Sequence, residues 1–156
     1  MNNILDFDLR KLVLPTGNTI EKQLKVEADR FLKILQEEID AWYFSYRPTI
    51  YNRTYNMRDS ISVDDVVRVY PSKNQLVIDI VYSDDAFHKS LWSDDVINSI
   101  ELMNEGYKVK SGWHKDIENL GYREGGHFLE KAIARFNKNN PLGIDIKIKL
   151  LRRLIV

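Results

Sequence analysis

The chain has no cysteine. That absence removes disulfide frameworks, thiolate catalysis and the sulfur-rich zinc sites together, and it leaves the chain indifferent to redox compartment. Net charge is missing as well: 23 Lys plus Arg stand against 23 Asp plus Glu, so no overall field draws the molecule towards nucleic acid, a membrane surface or acidic substrates. A charged contact must come from a local patch. No segment approaches the ~20 apolar residues needed to cross a bilayer. Residues 1–8 lack the basic flank and apolar run of a signal peptide, so a soluble protein of the cytoplasm is the expectation. There is no internal repeat, low-complexity tract or interdomain linker, and 156 residues suit one domain that removes ~70% of its unfolded surface from water.

What is present organises around residues 46–61, where a long helical pattern stops and a sheet pattern begins. Before it, residues 1–17 read as an irregular leucine-rich arm closed by the turn residues Pro15, Thr16 and Gly17. Asn18 and Glu21 then have capping-box spacing, which predicts a helix start. Ile20, Leu24, Ala28, Phe31, Leu35, Ile39, Trp42 and Tyr46 step by threes and fours along one face until Pro48, a helix ~40 Å long lying across a sheet. Residues 66–70 and 76–82 are β-branched and aromatic runs around Pro71 and Asn74, and read as a hairpin.

Beyond it, Ser93 caps an expected short helix carrying Val96, Ile97, Ile100 and Met103, with Gly106 as its left-handed stop. Residues 86–125 otherwise read as a long loop or insertion with one strand near Tyr107. Phe128, Leu129, Ala132, Ile133 and Phe136 mark a late helix, and the alternation of Ile144, Ile146, Ile148 and Leu150 with Asp145, Lys147 and Lys149 marks a half-buried strand. The expected organisation is an arm (1–17), a single α+β domain (18–151) with its helices on a small antiparallel or mixed sheet, and a tail (152–156).

Chemistry-bearing residues are scattered. His88, His114 and His127 show no HExxH pattern or repeated spacing, so solvated or hydrogen-bonded roles are expected of them and no metal or cofactor is called for. The pairs Asp64 and Asp65, Asp84 and Asp85, and Asp94 and Asp95 suit turns and caps, because neighbours on a strand face opposite ways. Gly121, Gly125 and Gly126 precede a helix but lack the P-loop lysine; permissive backbone geometry is expected there before phosphate binding. The strongest local charge is the junction itself, where Arg47, Arg53 and Arg58 alternate with Tyr43, Tyr46, Tyr51 and Tyr55 without an acid. Arginine forks beside aromatic faces suit phosphate and base contact, and equally suit the anchors of protein interfaces. Zero net charge favours the interface.

Arg53, Thr54, Met57, Ser60 and Ile61, following a long helix, resemble the R-T-G-x-L-x-x-S-I signature of the tail-component or tail-completion proteins of long-tailed bacteriophages; Tyr55 stands at the glycine position. His127, Phe128, Ala132 and Ile133 resemble the second element of that family, a late helix approached through H-F-h-x-x-A-h, where h is apolar. The resemblance spans roughly residues 18–150. It implies a non-enzymatic structural protein of phage or prophage virion assembly, completing the tail or joining head to tail. It further implies a ring of copies touching neighbouring head or tail proteins, made in the bacterial host's cytoplasm and ending in the virion. Membrane contact is not implied, and nucleic acid only incidentally. A ring repeats two unlike patches around an axis. Arg47, Tyr51, Arg53, Tyr55 and Arg58 are the candidate first patch, and the long loop or the end containing Arg152 and Arg153 the second. Alternatives of other classes are a nucleic-acid-binding module using the junction, a small metal-dependent nuclease using paired Asp with His114 or His127, and a bacterial interaction domain.

Overall fold

The longest helix is approached through a turn that proline and glycine shape. The computed structural model describes residues 8–45, 56–83, 87–89, 96–108 and 122–148. A 3-10 turn, Leu9–Lys11, is capped by Asp8, whose Oδ1 accepts from the Arg10 amide at 3.1 Å. The Arg10 guanidinium donates back to the same carboxylate and holds it below the usual carboxylate range. At the next turn the Gly17 amide donates to the Leu14 carbonyl at 2.9 Å, with Gly17 at φ +85°, a region that penalises any residue carrying a Cβ.

Helix α1 spans Ile20–Phe44, with Thr19 rather than Asn18 as its cap: Thr19 has the extended backbone a cap needs, and its Oγ1 accepts from the Lys22 amide at 3.3 Å. Asn18 is used elsewhere. Its carbonyl accepts from the Leu14 amide at 2.8 Å and its side chain donates to Gln23. Glu21 pairs with Lys25 one turn on instead of reaching back. The buried stripe follows the anticipated spacing through Ala28, Phe31, Leu35 and Ile39, then finishes on Tyr43, with Trp42 half-buried beside it. At about 1.5 Å per residue the helix is ~38 Å long. Pro48 and Tyr46 lie outside the described residues.

A single helical turn, α2 (Asn56–Asp59), leads into strand β1 (Ile61–Tyr70), which pairs antiparallel with β2 (Gln75–Tyr82) from Ile61 opposite Tyr82 to Tyr70 opposite Gln75. The hairpin turns through Pro71–Lys73 and a left-handed Asn74 at φ +51°. Strand β1 starts five residues before the position its pattern suggested. Between Val63 opposite Ile80 and Val67 opposite Ile78, residues 64–66 face Asp79 alone, a bulge that breaks the two-residue alternation. Asp64 stabilises the bulge by accepting from the Val66 amide at 3.2 Å. On the outer face Arg68 pairs with Asp79 across the strands; on the inner face Ile61 and Val67 are buried.

Two short antiparallel ladders follow: β3 (Phe87–Lys89) with β4 (Val96–Asn98), and β5 (Gly106–Lys108) with β6 (Tyr122–Glu124). Helix α3 (Ser99–Glu105) lies between β4 and β5. The expected helix from Ser93 is therefore corrected: Val96 and Ile97 are β-branched and take a strand, and the helix begins at Ser99. Gly106 does end it, at φ +87°. Part of the span read as a long loop is thus paired backbone.

Helix α4 (Phe128–Asn137) packs on α1, which also contacts β1 and β2, and the elements share one core of Phe31, Leu35, Ile39, Tyr43, Met57, Ile61, Ile100, Phe128, Leu129, Ala132 and Phe136. Phe31 and Phe136 meet edge to face at 5.7 Å. Arg30 lies 4.0 Å over the Phe136 ring, pairs with the buried Glu27 at 2.7 Å and donates to the Asn139 carbonyl at 2.6 Å. The architecture is α+β, with the described strands forming three separate two-stranded antiparallel sheets. The expected final strand is corrected too: residues 144–148 form no ladder. Their alternation is real, since Ile144 and Ile146 rest on the core while Asp145 and Lys147 are exposed, but packing satisfies it without pairing.

Candidate functional site

The two segments that carry the family resemblance meet in the core. Met57 and Ile61, 5% and 6% exposed, share one cluster with Phe128, Leu129 and Ala132, and Ile133 packs against its edge. The first segment is an elbow. Ser60, buried, donates its Oγ to the Met57 carbonyl at 2.7 Å, closing the turn of α2, while its own carbonyl accepts from the Ser83 amide at 2.8 Å beyond the end of β2. One serine thus fixes both the helical turn and the root of the hairpin.

Arg58 projects from this elbow, half-exposed, onto Asp40 of α1 at 3.0 Å and Asp59 at 2.9 Å. These bonds, Asp59 first and Asp40 second, hold the guanidinium above its ordinary pKa. The junction's lack of acid therefore ends at its borders, and Arg58 braces α2 against α1. Arg47, Tyr51, Arg53, Thr54 and Tyr55 lie outside the described residues, as do Arg152 and Arg153. Phe44, the last residue of α1, is 77% exposed and marks where the helix leaves the core.

The second segment is organised by a residue that sequence reading passed over. Asn104, 1% exposed near the end of α3, receives the N-terminus of α4: its Oδ1 accepts from the Leu129 amide at 3.0 Å and its backbone carbonyl accepts from the His127 amide at 3.0 Å. Its Nδ2 donates to both Glu130 oxygens, at 3.1 and 3.0 Å. The capping position itself is His127, left-handed at φ +48° and exposed, whose side chain makes no capping bond. Asn104 supplies the cap from another helix. An asparagine in a short helix carries no sequence signal of that role, because the amides it serves belong to a remote segment.

The same contact explains two glycines. A Cβ on Gly125 would stand 2.3 Å from the Asn104 carbonyl oxygen, and one on Gly126 would stand 2.5 Å from the Trp42 ring. Neither has a positive φ. Their use is close approach of backbone to α3 and to α1, in place of the permissive geometry anticipated. Gly121 lies outside the described residues. With Asn104 seated on the first turn of α4, that helix end is already bonded within the chain.

Among the described residues no three His, Asp or Glu converge as metal ligands, and no helix is long and apolar enough to cross a membrane. Asp64 and Asp65 belong to the β1 bulge; Asp84, Asp85, Asp94, Asp95 and His114 lie outside the described residues. What fold and site define is an α+β chain in which the motif residues Met57, Ser60, Ile61, Phe128 and Ala132 are buried. Set against protein-family models, curated proteins and solved structures, the chain matches none of them.

Proposed function

We propose that this protein is a non-enzymatic structural subunit of phage or prophage virion assembly, completing the tail or joining it to the head. It acts through protein interfaces in a ring of copies and with neighbouring head or tail proteins. The observation that supports the reading is the packing of Met57 and Ile61 with Phe128 and Ala132 in one core, beside the buried Ser60. Two short motifs far apart in the chain gain weight when their apolar positions serve the same packing. The residues assigned to assembly are Arg47, Tyr51, Arg53 and Tyr55, which follow the exposed Phe44 in sequence and combine forks and rings suited to interface anchors.

Light scattering across a concentration series, with electron microscopy for rings, is the direct test, alone and with tail or head proteins as template. Rings or template-bound copies are expected, and Arg47→Glu with Arg53→Glu should abolish them while leaving circular dichroism unchanged. Retention of the chain on DNA with a steep salt dependence would favour a nucleic-acid module instead. Stoichiometric divalent-metal binding by calorimetry, coupled to cleavage of a nucleic acid, would replace the reading with that of a nuclease.

A further inference from the structure

The structure holds an unguarded strand edge and a strand-patterned segment with nothing paired to it. From Gln75 to Val81, β2 pairs only with β1 among the described residues. Edge strands are ordinarily protected by bulges, prolines or unpaired charges. On β1 the bulge at 64–66 with Asp64 and Asp65 gives that protection. On β2 there is no bulge or proline, and its one charge, Asp79, is neutralised by Arg68.

The unpaired segment begins at Ile144. Asn140 folds back on it, accepting from the Ile144 amide at 2.9 Å and donating to the Ile144 carbonyl at 2.8 Å, with Gly143 at φ +62° making the turn. An extended chain directs the amide and carbonyl of one residue to one side and those of the next to the other. Asn140 occupies the Ile144 side, so extended geometry turns the amides and carbonyls of Asp145 and Lys147 to the opposite side. Among the described residues, 145–148 make no hydrogen bond. The turn also sets the direction of departure, and in that direction the segment passes over the core without pairing with its own hairpin.

We infer that residues 144–150 add as a strand to the free edge of β2 in a second copy of this chain. The lengths match, seven alternating residues against the seven from Gln75 to Val81. Charge agrees as well. Residues 144–156 carry Lys147, Lys149, Arg152 and Arg153 against Asp145, whereas β1, β2 and their turn carry three acids and two bases. With the whole chain at zero net charge, copies do not repel one another at long range. The contact is heterologous, donor edge to acceptor edge, so it propagates into a closed ring or a filament. It goes beyond the reading above, which places assembly at the junction, and it holds whatever assembly the chain enters.

The absence of native cysteine makes the test clean. Full-length Leu150→Cys is mixed with differently tagged Val81→Cys or Gln75→Cys and oxidised; a mixed disulfide is expected with Gln75→Cys if the strands run antiparallel and with Val81→Cys if they run parallel. Lys147→Pro removes an amide that bonds to nothing among the described residues, so it should leave thermal unfolding of the monomer unchanged. The same change should lower the yield of mixed disulfide about tenfold, the effect of one lost ladder bond. Lys147→Ala, which keeps the amide, should not. No mixed disulfide in either mixture, an internal disulfide in Val81→Cys/Leu150→Cys or Gln75→Cys/Leu150→Cys, or full cross-linking in Lys147→Pro overturns the inference. Rings that persist in Lys147→Pro would remove strand addition and leave the virion reading standing. Mixed disulfides without any ring on a template would do the reverse.

Discussion

Replacing Asn104 perturbs the join between α3 and α4, and the geometry sets the size of the effect. In Asn104→Ala the Leu129 amide, bonded at 3.0 Å in a buried setting, loses its acceptor. Loss of a capping acceptor costs about 1 kcal/mol, and leaving the freed donor dry raises this towards 2–3 kcal/mol. Glu130 is exposed and becomes hydrated, so it adds little. For a chain of this size that corresponds to a fall in Tm of about 5–10 °C.

Asn104→Asp separates the capping bond from its companion. Aspartate still accepts from the Leu129 amide and favours a helix N-terminus by about 0.3–1 kcal/mol. It also sets a carboxylate against the Glu130 oxygens that now accept from Nδ2 at 3.0 and 3.1 Å. Repulsion of a partly hydrated pair at that range is about 2 kcal/mol, so Asn104→Asp should be less stable than the parent chain. Glu130→Gln alone should change stability by less than about 0.5 kcal/mol. Combined with Asn104→Asp it restores a donor facing an acceptor, and the double-mutant cycle should show a favourable coupling of about 1–2 kcal/mol. Urea unfolding followed by circular dichroism measures all four chains. A coupling within 0.5 kcal/mol of zero, or an Asn104→Asp chain as stable as the parent, would refute the role assigned to this side chain.

Gly126→Ala should destabilise by about 1–3 kcal/mol, since its Cβ would overlap the Trp42 ring at 2.5 Å; Trp42→Leu in the same chain should recover part of that loss, read by thermal melts. Arg135, held above its ordinary pKa by Glu38 and then Glu37 at 2.7 Å each, ties α4 to α1 across an exposed surface. Its replacement by alanine should cost no more than about 1 kcal/mol, and molar salt should erase the difference in urea midpoints. Removing residues 152–156 should preserve the circular dichroism spectrum and weaken assembly; unfolding of the shortened chain would show that the end belongs to the core.

Legibility in the sequence followed the length of each pattern. Helix α1 could be read because Ala28, Phe31, Leu35 and Ile39 repeat the helical period over several turns, and α4 because Phe128, Leu129, Ala132 and Phe136 do so in ten residues. The hairpin was readable from β-branched runs, but the start of β1 was hidden where the bulge breaks alternation at Asp64 and Asp65. Strands β3 to β6 are three residues each, too short to express any period. Cap choice slipped by one residue because the Asn18 carbonyl is taken by the preceding turn, a fact about Leu14 and not about capping propensity. Asn104 and the glycine pair were illegible for a stronger reason. Their partners are Leu129, Glu130 and Trp42, distant in sequence, and steric closeness leaves no local trace.

The placement of the motif residues decides which experiments speak to function. Met57, Ser60, Ile61, Phe128 and Ala132 are all buried, so changing them alters stability first, and any loss of assembly that follows reports unfolding. Arg58 is intermediate: Asp40 and Asp59 hold it as a brace between α2 and α1, and an assembly defect in Arg58→Ala must be compared with its melting temperature before it is assigned to an interface. Phe44 is the described position where the ambiguity disappears. At 77% exposure it contributes little to the core, and Phe44→Ser removes apolar surface from water in the free chain. If the end of α1 is an assembly surface, that substitution should raise solubility, leave unfolding within about 0.5 kcal/mol of the parent, and weaken ring formation. Rings of unchanged yield from a chain carrying Phe44→Ser would move the contact away from this end of the helix.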